Sequence, residues 1–95
     1  MHLSELSPGE LPRERLLAHS AAVLSDAELL AVLLRTGRAG ENVLDLARGI
    51  TARFREEGLA AILRMPAAEF ARIPGIGSAK AATVLAALEL GRRAY

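Results

Sequence analysis

Apolar residues recur along the chain at helical spacing, and no stretch alternates as a half-buried strand does. The clearest stripe is Val43, Leu46, Ala47, Ile50 and Phe54, one face of a helix expected from about Asn42 to Arg55. Before it, Ser25-Asp26-Ala27-Glu28 has the form of a capping box, with serine as N-cap and glutamate at the third helical position. The helix it opens carries Leu29, Leu30, Val32, Leu33 and Leu34, and is expected to stop at Gly37 in a left-handed C-cap. Pro12 suits the first position of a short helix through Ala18, and residues 1–11 read as a flexible N-terminal arm. After a break at Gly58, Leu59 to Arg64 form a connector, and Pro66 starts a short helix through Arg72. A last helix runs from Ser78 toward Tyr95 with Ala81, Val84, Leu85 and Leu88 on one face.

The order of elements repeats coarsely. Helix, glycine turn (Gly37 to Gly40) and helix are followed by a connector, then helix, glycine turn (Gly75 to Gly77) and helix. Two helical hairpins of this kind can share one core and set both turns on the same side. The second turn, Ile73-Pro74-Gly75-Ile76-Gly77-Ser78-Ala79-Lys80-Ala81, is the richer in chemistry. Its glycines accept backbone angles closed to other residues, and Ser78 is the expected N-cap of the following helix. A helix start exposes unpaired N–H groups and roughly half a positive charge, which suits a phosphate. The first turn is longer, lacks the Gly-x-Gly core and reads as a degenerate partner.

Composition narrows the classes. Ninety-five residues, 52% of them hydrophobic, are enough for one helical domain without staples. The absence of cysteine excludes disulfides and thiolate zinc sites. The N-terminus has no basic start followed by an apolar run, and no uncharged stretch approaches the roughly 20 residues of a membrane span. A soluble, cytoplasmic protein with no membrane contact is expected. Net charge is only +1, but residues 72–95 hold four basic residues and one acidic, a local +3 against −2 for the rest. That is a modest electrostatic footprint around the second turn.

Residues 73–81 resemble the helix-hairpin-helix motif of DNA repair and recombination proteins. The whole order of motifs is similar to the N-terminal domain of the bacterial RadC (UPF0758) family, described as DNA repair proteins. The matching pieces are Pro12 to Leu17, Leu24 to Ala31, Leu33-Leu34-Arg35-Thr36-Gly37, Gly75-Ile76-Gly77, Ala79-Lys80-Ala81 and Glu89-Leu90-Gly91-Arg92-Arg93. The resemblance implies an all-α domain over 12–95, five or six short helices in two helix-hairpin-helix-like units, of the RuvA domain 2-like or (HhH)2-like type. It implies a DNA phosphate held by backbone N–H groups at Gly75, Gly77, Ala79 and Lys80, with the Lys80 side chain adding charge, inside a DNA-binding set that also takes in Ile76, Ser78 and Arg72. It also implies a monovalent cation on the carbonyls of Ala71, Ile73 and Ile76. Family members continue into a JAB/MPN-like metalloprotease domain with a His-x-His-Pro stretch, whereas this chain has only His2 and His19. The sequence is therefore expected to be a non-enzymatic piece, and the absent domain one of its partners. The segment Arg53-Phe54-Arg55-Glu56-Glu57-Gly58 departs from the Phe-Gly turn of the family, which leaves the end of that helix open.

Three functions remain at this level. A DNA-binding module would grip duplex or branched DNA by its backbone, at about 10⁻⁴ to 10⁻⁶ M and weakened by salt. With only Phe54, Phe70 and Tyr95 there is no aromatic platform for single strands. A protein-interaction module positioning the downstream domain is the alternative, and an apolar groove away from the hairpin would favour it. A lyase-type glycosylase is the weakest reading, because Lys80 is the sole lysine and no aspartate follows Asp45. Plainer roles stand beside these: glycines as packing devices, Lys80 as an ordinary solvated lysine, Arg92 and Arg93 as helix C-terminal charges, His19 as a helix-end histidine, and Arg35-Thr36-Gly37 as a helix end, against a reading in which Arg35 and Arg38 touch a second phosphate.

Overall fold

The structure, a computed structural model, describes residues 11–95. Apart from Leu11, the expected N-terminal arm lies outside the described residues. Among these, all regular structure is helical: α1 (Pro12–Ala18), α2 (Asp26–Leu34), α3 (Val43–Arg53), α4 (Ala67–Ala71) and α5 (Gly77–Ala94). Short 3-10 segments, Ala21–Val23 and Leu59–Arg64, join α1 to α2 and α3 to α4.

Local sequence accounts for most of the helix starts. Pro12 stands at the first turn of α1. Ser25 Oγ accepts the Glu28 N–H at 3.1 Å, and Glu28 accepts the Ser25 N–H at 2.9 Å, which closes the capping box of α2. Glu28 also pairs with Arg15 at 2.8 Å and so ties α1 to α2. Asn42 Oδ1 accepts the Asp45 N–H at 2.8 Å to cap α3. α3 ends at Arg53, two residues before the expected boundary, and the chain turns through Gly58 at φ 84.

Two boundaries differ from expectation for reasons of packing. α2 ends at Leu34, not at Gly37. Arg35, φ 70 and ψ −48, sits at the apex of a γ-turn closed by the Thr36 N–H on the Leu34 carbonyl at 2.8 Å. Such a conformation costs a non-glycine residue about 1–3 kcal/mol. Gly37 is required for space rather than handedness, because a Cβ there would stand 2.2 Å from the Glu41 carbonyl oxygen. Ser78 likewise is not an N-cap. α5 already begins at Gly77, the N-cap position belongs to Ile76, and no side chain caps the helix. Burial of Ile76, 4% exposed, anchors the chain two residues earlier than the serine would.

The core is drawn from every hairpin. Leu34 of α2, Ile50 of α3, Ile62 of the second 3-10 segment, Phe70 of α4 and Val84 of α5 are almost wholly buried. α2 packs on both α3 and α5, and α4 packs on α5, so the hairpins α2–α3 and α4–α5 share one interior. Within the described residues no helix is long and apolar enough to cross a membrane.

Candidate nucleic-acid interface

The second glycine turn is built by three short-range hydrogen bonds. The N–H groups of Arg72 and Ile73 donate to the carbonyls of Glu69 and Phe70, and the Ile76 N–H donates to the Ile73 carbonyl at 2.9 Å. Of the carbonyls that the resemblance assigns to a cation, that of Ile73 is thus already an acceptor within the turn. Gly75 (φ 95) and Gly77 (φ 67) both take the left-handed conformation that favours glycine.

The seven expected contact residues divide by environment. Gly75 and Ile76 face inward. A Cβ on Gly75 would come within 2.8 Å of a Leu46 methyl group, so this glycine lets the turn lie against α3. Gly77 has no heavy atom within 4 Å of where a Cβ would stand, and Ser78, Ala79 and Arg72 are exposed. The opening turn of α5 is therefore bare, uncapped by any side chain, and carries the partial positive charge of an 18-residue helix.

Lys80 is half-buried and its ammonium is engaged. It donates to the main-chain carbonyl of Thr36 in the first turn. Arg38 of that turn approaches Gly75, with its Cδ 3.6 Å from the position of the absent Cβ. The two glycine turns are consequently neighbours. A groove of about 220 Å³ beside them, between α3 and Ile73-Pro74, carries Arg38 and Arg53 alongside Glu41 and Asp45. Arg38 pairs with Glu41 at 3.3 Å.

The charge that the sequence places near this turn is distributed differently in space. Arg92 and Arg93 both hold Glu89, at 2.7–2.9 Å, and these bonds, Arg92 foremost, lower the Glu89 carboxyl to about 2. They sit near the far end of α5, roughly 18 Å along the axis from Lys80 at 1.5 Å per residue. Cations around the turn are instead Arg72 and Lys80, joined by Arg38 from the first turn, while Arg35 lines the groove between α1 and α2. That Arg38 stands beside Gly75 is a tertiary contact, which charge counts along the chain do not record.

A second concave surface lies on other elements. A groove of about 640 Å³ between α1 and α2 is lined mainly by Leu11, Pro12, Leu16, Leu17, Ala31 and Val32. Among the described residues no group of three or more His, Cys, Asp or Glu is placed to hold a metal ion.

Residues 3–82 match the family described as "UPF0758 N-terminal". A UPF0758 protein of Nitrosospira multiformis is 48% identical over 94 residues, covering 99% of this chain and 41% of the relative. One from Dechloromonas aromatica is 49% identical over the same length and shares. One from Shewanella putrefaciens is 50% identical over 93 residues, 98% of this chain and 40% of the relative. The chain thus spans about two fifths of the length of these relatives. No solved structure matches it.

Proposed function

The chain belongs to the UPF0758 family, and on that premise we propose that it is a module that holds the phosphate backbone of duplex or branched DNA without reading sequence. The observation that carries this is the first turn of α5: an exposed, uncapped helix start entered across Gly77, with Lys80 and Arg72 beside it. Backbone N–H groups aimed at a phosphate contribute affinity without base discrimination, because every nucleotide presents the same oxygens. In this reading the chain performs no chemistry; it positions DNA for the remainder of a longer, metalloprotease-like protein of the cytoplasm.

Fluorescence anisotropy of labelled duplex and branched DNA across a salt series tests it. Ala79→Glu is the informative variant, since a carboxylate in a first helical turn favours the helix while repelling phosphate. Micromolar binding that weakens with salt and falls at least tenfold in Ala79→Glu, at unchanged melting temperature, supports the reading. Binding indifferent to this substitution overturns it.

The groove between α1 and α2 supports a second reading, a protein-interaction module that positions the downstream domain. Its lining is mostly apolar, with Arg13, Glu14 and Arg35 among it, and Leu17 is 73% exposed. Loss of interdomain contact in Leu17→Glu, with DNA binding intact, would favour this role.

A further inference from the structure

We propose that Lys80 is a latch between the two glycine turns, held on the Thr36 carbonyl in the free protein and transferred to a phosphate when DNA binds. This rests on the reading that phosphate docks at the first turn of α5.

Side chains of a helix tilt toward its N-terminus, so the stem of Lys80, the fourth residue of α5, leads back over that opening turn. There its ammonium meets the carbonyl of Thr36 and, among the described residues, no carboxylate. The carbonyl belongs to the residue after Arg35, which among the described residues is the only non-glycine with positive φ. A conformation of this kind persists where surrounding contacts over-determine it. On one side Gly37 is packed against the backbone of Glu41 and Asn42. On the other, Lys80 holds Thr36.

A cation bound to a neutral carbonyl is held less strongly than one bound to a phosphate oxygen. A phosphate on the amides of residues 77–80 lies along the reach of the same ammonium and competes for it. Transfer adds one charged contact to the DNA and removes the hold on Thr36, so the turn at Arg35 responds to occupancy of a site on another hairpin. Lys80 then acts both as ligand and as reporter.

Nuclear magnetic resonance on the 95-residue chain tests the latch, with inorganic phosphate and then a short duplex DNA as probes. Expected in the wild type are parallel shifts of the amides of Gly77 to Lys80, the Thr36 carbonyl carbon and the Arg35 amide. In Lys80→Met, the Thr36 carbonyl should start from a released position and stay there while the α5 amides still respond. The salt slope for duplex binding should fall by about 0.9 in that variant. Shifts at the α5 amides with a stationary Thr36 carbonyl in the wild type would leave phosphate binding standing and overturn the latch. Absence of amide shifts would overturn both. The wild-type titration decides these outcomes even if Lys80→Met does not fold.

Discussion

The ammonium of Lys80 donates a hydrogen bond to the main-chain carbonyl of Thr36, which ties the second glycine turn to the first across 44 residues of sequence. The contact joins the end of α2 to the start of α5, the two helices that bring the hairpins together. Removing it in Lys80→Met is expected to lower stability by about 1 kcal/mol, near the lower range for bonds to charged groups in an exposed setting. Thermal unfolding without DNA should show a fall of about 4–8 °C.

Glycine substitutions separate three physical roles. Gly77→Ala meets open space and should lose about 1–2 kcal/mol from its left-handed backbone alone. Gly75→Ala adds a collision with Leu46 and should lose more. Gly37→Ala, free of positive φ but pressed on the Glu41 carbonyl, should be the most damaging, since backbone cannot yield as a side chain does. Urea denaturation of the three proteins gives the order.

Gly49 has no such demand on it. It lies inside α3 with nothing within 4 Å of a would-be Cβ. Gly49→Ala is expected to raise stability by about 0.5–1 kcal/mol through the lower chain entropy of alanine. A loss in the same urea experiment would contradict the open surface seen there.

Phe70 anchors α4 beneath the second turn and is 0% exposed. Phe70→Ala should cost about 3–5 kcal/mol, a combined loss of burial and a cavity. Because α4 is only five residues long, the turn should lose protection from hydrogen exchange before the α2–α3 hairpin does.

Acid stability should follow two carboxylates. The Ser25 N–H first, and then the Ser25 hydroxyl and Arg15, hold the Glu28 carboxyl below its ordinary 4.5. Arg92 and Arg93 bring Glu89 to about 2. A folded-state value lower than the unfolded one stabilises the fold above pH 4.5 and loses that contribution as pH falls through the lowered value. For Glu89 the loss spans pH 4.5 to about 2. Glu28→Gln and Glu89→Gln should each flatten the decline of melting temperature in acid, and neither should alter its shape above about pH 6, where both carboxyls are ionised in the folded and unfolded chain alike.

The sequence by itself determined the helical class, the capping box at Ser25 and Glu28, the buried stripe of α3, the glycine turn before α5 and the family. These rest on neighbours within four residues or on a motif order, which a linear string records in full. Tertiary structure alone decided that Gly75 serves contact with Leu46, that Gly37 is a point of close approach and that Ile76 rather than Ser78 occupies the cap of α5. It also showed Arg92 and Arg93 engaged with Glu89 far along α5, and Arg38 of the other turn beside Gly75. For Gly75 and Arg38 the reason is a contact between segments about 30–40 residues apart, set by how the two hairpins share one packed core; for Gly37 it is the path of a tight local turn, which residue types alone do not fix.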